Sequence, residues 1–136
     1  GRSAAWTGIG LYQWNGTTWA PAGPLADLYA LDPQDAPLPD KIGTHYMHLK
    51  TPAWEFAEGR VIVDKPEVIP GAGPQDIDWL RVQLRDDAEN RQGLNYSHGL
   101  RIRTRLGKVP DKDTQPGEYI GQRCGVGYES YYVFLR

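Results

Sequence analysis

TPAWEFAEGRVIV, Thr51 to Val63, is the stretch on which the fold turns. Trp54, Phe56, Val61 and Val63 alternate with Glu55, Ala57, Arg60 and Ile62. A period of two is the mark of a strand with one buried face. Glu58-Gly59 suits a two-residue turn, which sets Phe56 opposite Val61 and Trp54 opposite Val63. The stretch therefore reads as a hairpin with an apolar face of Trp54, Phe56, Val61 and Val63. Just upstream, His45 and His48 lie three residues apart. That odd spacing sends them to opposite faces of a strand.

The same period recurs outward from this hairpin. In WLRVQLR, Leu80, Val82 and Leu84 point one way, with Trp79, Arg81, Gln83 and Arg85 the other. In LRIRTRL, Leu100, Ile102, Thr104 and Leu106 oppose Arg101, Arg103 and Arg105. YESYYVFLR closes the chain with Tyr128, Ser130, Tyr132 and Phe134 on one face. Near the start, Asn15-Gly16 suits a type I′ turn that sets Trp14 opposite Thr17 and Tyr12 opposite Trp19. Residues 64–78, 86–93 and 108–121 read as loops. PLADLYALD (Pro24–Asp32) reads as loop because of its prolines. No stretch keeps a helical period. The prediction is a single all-β domain over 1–136, a β-sandwich or closed β-barrel. It has about eight to ten mostly antiparallel strands with long Pro/Gly-rich loops.

Bulk properties narrow the function. The 136 residues suffice for one core. Net charge is −2 and the pI about 5.9, against a nucleic-acid partner. No apolar run approaches the roughly 20 residues of a membrane helix. Cys124 is the single cysteine, so no internal disulfide forms. The chain opens on Gly1 with no Met, as expected where a leader has been removed or a cloning scar remains. Asn15 and Asn95 each open a glycosylation sequon, in keeping with a secreted glycoprotein.

Several pieces, in order, resemble one family. They are the stretch from Trp19 through GPLADL, IGTHY from Ile42, TPAWEFAEGRVIV from Thr51 and DIDWLRVQL from Asp76. RIRT with GKVP from Arg101, and VGYESYYVF from Val126, complete the set. Together they are similar to the domain-of-unknown-function family 3455, over about residues 8–134. The resemblance implies an all-β, exported protein and no particular reaction. Family members often carry a cysteine in the first strand and another after the RxxT-type strand. Here Trp14 stands near the first position and Thr114 or Gln115 near the second. Either His45 or His48 matches the family's histidine, and Arg101 matches an arginine.

Three functions follow as expectations. The first is binding of a glycan or other small molecule by an aromatic and arginine-lined face or pocket. Its candidates are Tyr12, Trp14, Trp19, Trp54, Arg101 and Arg103, since rings stack on ligands and guanidinium groups pair with anions. Arg101, Arg103 and Arg105, with Arg81 and Arg85, would make a cationic band. The competing reading is a solvated face balanced by Asp86, Asp87 and Glu89. The second function is a β-barrel enzyme with His45 or His48 and Glu55 as acid–base residues. The third is a self-associating extracellular protein, a homo-oligomer. No metal and no cofactor is expected. Cys124 reads as an inert buried thiol.

Overall fold

The computed structural model describes residues 2–71, 73–88 and 90–136, without the side chains of residues 2–7 and 92. Glu89, counted above among the balancing carboxylates, lies outside the described residues. Eight strands are found there: β1 (Arg2–Trp14), β2 (Trp19–Leu31), β3 (Pro37–His48), β4 (Thr51–Phe56), β5 (Gly59–Ile69), β6 (Trp79–Leu84), β7 (His98–Leu106) and β8 (Arg123–Leu135). Each pairs antiparallel with the next, and β1 pairs with β8, which closes a barrel. Closure gives every strand a neighbour on both sides, so the sheet has no free edge strand. A π-helical turn, Asn90–Leu94, lies in the β6–β7 crossover. No described helix is long and apolar enough to cross a membrane.

The faces follow the period-two reading. Tyr128, Ser130, Tyr132 and Phe134 are all buried, as are Val82 and Leu84. Phe134, Tyr96, Leu94, Phe56 and Leu28 fill one end of the barrel with Trp54 and Tyr132 above them. Turn positions and registers differ from expectation. The β4–β5 turn is Ala57-Glu58, so Trp54 faces Val61 and Phe56 faces Gly59. The shift is two residues, and it leaves the apolar face intact. At the first hairpin, Trp14 faces Trp19 across a four-residue loop, and Tyr12 faces Pro21. The Asn15 side-chain oxygen accepts from the amides of Thr17 and Thr18, and only Gly16 of the pair has positive φ. That is an Asx-type turn rather than a type I′ turn.

Two stretches expected as loops are strands. β2 runs through Pro24–Leu31, and β5 extends to Ile69, where it pairs with β6. Prolines are accommodated in β2 because its ladder to β3 begins only at Ala26–His45, so the amides of positions 21 and 24 are not needed there. Gly23, at positive φ beside a β-bulge, leaves room for the Met47 side chain, which a β-carbon at Gly23 would overlap. β2 and β3 thus part at this end of the barrel.

The β3–β4 connection is the true two-residue hairpin. His48 faces Thr51, and Leu49 and Lys50 both take positive φ, at 47° and 68°. This is the condition of a type I′ turn, met by two residues that disfavour it by about 1–2 kcal/mol each. Replacing the pair with Asn-Gly should raise stability by about 1–2 kcal/mol, read as a higher urea midpoint at unchanged slope. An unmoved midpoint would show that the turn carries no strain.

Candidate functional site

A cavity of about 650 Å³ opens between the barrel wall and the loops at the Leu49 end. That volume lies within the range of small-molecule sites, about 300–1,000 Å³. The space exists because β1 offers little side chain inside. Gly10 lines the cavity, and its neighbours along β1, Gly8 and Tyr12, are a glycine and a ring held to one side. The Tyr12 hydroxyl donates to the Gly107 carbonyl at 2.6 Å. An eight-stranded barrel is just wide enough either to be filled by side chains or to hold one small ligand. Here one end is filled and the other holds space.

Four of the candidates read from sequence meet in this cavity: Tyr12, His45, Trp54 and Arg101. Register brings them there. Ala26, His45, Trp54 and Val61 oppose one another directly across β2 to β5, and Leu80, Arg101 and Tyr132 do so across β6 to β8. The His45 ring stacks on Trp54 at 4.3 Å, nearly parallel. Its Nδ1 lies 2.8 Å from the Ala53 carbonyl oxygen, so Nδ1 carries the proton and donates. Burial pushes the His45 pKa down to about 3, against the carbonyl's opposing pull and with the Arg101 charge adding to it. His45 is therefore neutral across the physiological range.

Arg101 was expected on one face with Arg103 and Arg105. A bulge between Ile102 and Arg105, with Arg103 at φ 51°, breaks that alternation. Arg101 points inward, and Arg103 and Arg105 point outward. Outside, Arg103 pairs with Asp35 at 3.9 Å and lies over the Tyr131 ring, and Arg105 pairs with Glu129 at 3.6 Å. Arg81 is exposed on the outer side of β6. Of the two readings of these arginines, the cationic band does not form, and Arg103 takes no part in the cavity. Inside, Arg101 Nε donates to the Asp78 backbone carbonyl at 2.8 Å. Among the described residues no carboxylate forms an ion pair with it. The Asp78 carboxylate pairs instead with Lys108 at 3.5 Å, on the cavity's rim. Tyr132, fully buried, has its pKa held well up by desolvation and by Tyr128, with Arg101 pulling the other way.

The remaining candidates lie elsewhere. Trp14 and Trp19 meet edge-on at 5.3 Å, each 8% exposed, beneath the β7–β8 loop. Trp19 Nε1 donates to the Gln115 carbonyl, and Gly117 lies so close to Trp14 that a β-carbon would overlap the ring. They are buried under the loop and form no open strip. Strand parity separates His45, inside, from Glu55, outside. His48 and Glu55 do come together on the outer face, joined by Arg60. Its NH1 sits over the His48 ring at 3.1–3.2 Å from both nitrogens, and its NH2 pairs with Glu55 at 3.0 Å. Among the described residues no three His, Cys, Asp or Glu side chains gather as a metal site. Cys124 faces Tyr12 across the β1–β8 ladder, and desolvation raises its thiol pKa. That weakens it as a nucleophile in spite of the neighbouring Arg123.

Sequence reasoning missed Tyr128 and the apolar rim of Pro21, Pro24, Met47, Pro52 and Pro66, all in the cavity wall. Prolines read as loop markers, and nothing local marks them as a rim. Comparison of the chain with protein-family models, with curated proteins and with solved structures returned no match.

Proposed function

We propose that this protein binds a small molecule inside the barrel, at the cavity lined by Tyr12, His45, Trp54 and Arg101. The observation that carries this reading is the cavity itself, apolar for most of its wall with a few polar groups converging on it. A neutral His45 with a pKa of about 3 is a weak base, and Glu55 lies on the other side of the sheet, which favours binding over acid–base catalysis. Secretion and membership in family 3455 belong to the same proposal. One contact supports the family: the 115–117 segment lies against Trp14 and Trp19. The two places where the family carries cysteines thus fall on neighbouring ground. Asn15 and Asn95 are both exposed, as glycan attachment requires.

Mass spectrometry of the protein as purified from a secreting eukaryotic host tests this reading. A small-molecule mass present under native conditions and lost on denaturation is expected. Mass surviving denaturation would report glycans separately. Gly10→Val should abolish the small-molecule load. A β-carbon at Gly10 meets nothing nearer than 3.7 Å, so the variant fills cavity without straining the sheet. An unchanged load in Gly10→Val would place the ligand elsewhere and end the reading.

A further inference from the structure

The cavity's polar groups define the ligand's chemistry, an inference that rests on the cavity being the binding site. Arg101 carries a fixed positive charge into the barrel. One of its five N–H donors goes to the Asp78 carbonyl and another to the Tyr132 hydroxyl, and among the described residues no carboxylate forms an ion pair with it. Its inward position follows from the register, opposite Leu80 on β6 and Tyr132 on β8, and it lines the cavity with Tyr12 and His45. A half-buried guanidinium with donors to spare is a ready partner for an anion. The acidic groups of the wall lie toward the opening. Asp78 is already paired with Lys108, and Asp64 is exposed. Away from Arg101 the wall is mostly Leu11, Met47, Ile77, Val109 and the four prolines, with Thr51 and Lys108 as its other side-chain donors, too few for a string of hydroxyls.

We infer that the ligand is an amphiphile with one anionic head, a carboxylate, sulfonate or similar group, on an apolar or aromatic body. The head meets Arg101, with Tyr12 beside it in the wall. The body lies along the Met47 and proline side, where β2 and β3 part. A neutral sugar would leave Arg101 unpaired and its own hydroxyls facing carbon.

Two dyes with the same body test this. 8-Anilinonaphthalene-1-sulfonate and N-phenyl-1-naphthylamine differ by the sulfonate alone. Titrated by fluorescence against the intact protein, the sulfonate should bind at least about tenfold more tightly. Arg101→Met should bring the two within about twofold, chiefly by weakening the sulfonate. Arg101→Lys should keep most of the preference. Near-ultraviolet circular dichroism of each variant establishes that the fold persists, and Arg101→Gln replaces the Met variant if that one does not fold. Equal affinities in the parent protein, or a preference that survives loss of the charge, would overturn the anionic ligand and leave the pocket standing. If neither dye binds, or if Gly10→Val binds the neutral dye as well as the parent does, the pocket falls and this inference with it.

Discussion

Lowering the pH from about 6.5 to about 3.5 is expected to cost the barrel on the order of 4 kcal/mol through His45 alone. In the unfolded chain this imidazole takes a proton near its ordinary value of 6.5; in the barrel burial holds it off until about 3. Between those values the unfolded chain binds more protons than the folded one. Stability is thus full above about pH 6.5 and falls steadily as pH drops, by about 1.4 kcal/mol per pH unit. The cause is the stack on Trp54 and the dry wall around it, which cannot solvate an imidazolium. His45→Gln separates this term from the carboxylates that titrate lower. The variant should be less stable at pH 7, yet its urea midpoint should change far less between about pH 6.5 and pH 4.5. Equal slopes in parent and variant would assign the acid sensitivity to other groups.

Trp54→Ala should remove about 3–5 kcal/mol, a third or more of what a domain of this size holds in reserve. The indole is 1% exposed, lies flat on His45, and meets Tyr132 and Phe134 edge-on, each at 5.4 Å. Truncation removes the plate between the filled end and the cavity, so the void left would join the cavity rather than collapse. Trp54→Phe should cost much less than the lost volume suggests, about 1–2 kcal/mol. The indole Nε1–H is buried with no acceptor among the described residues, and losing it recovers part of the packing loss. Urea unfolding of the two variants measures both. A Phe variant as damaged as the Ala variant would mean that the indole N–H is satisfied after all.

Sequence patterning settled which way most side chains point, and it failed where two strands had to agree. The alternation in β6 and β8 was legible because one buried face imposes a period of two within each strand. The turn at Glu58-Gly59 was misplaced by one residue, which slides the pairing by two, an error that parity cannot detect since it returns every side chain to its own face. The bulge at Arg103 was illegible for a different reason. LRIRTRL alternates without a break, and the skipped beat shows only in the folded chain, where Arg103 takes φ 51° and Thr104 donates to the Ile77 carbonyl beside it at 2.6 Å. That single skip sends Arg101 inside and its neighbours outside. The candidate site was read in pieces, as residue types, and long-range register assembled it.

Closure of the barrel joins residues more than a hundred positions apart, Arg2 to Phe134 at one end of the ladder and Gln13 to Arg123 at the other. The seven other ladders link neighbours along the chain. Hairpins form quickly, whereas a contact of this span waits on a long loop, and the folding rate belongs to the millisecond-to-second range of β topologies. The last zipper to close is also a wall of the cavity, since Gly10, Tyr12 and Tyr128 lie on β1 and β8. An open sheet therefore has nothing to offer a ligand. A ligand would act as a latch on the finished barrel: it would slow escape from the native state and leave the speed of arrival unchanged.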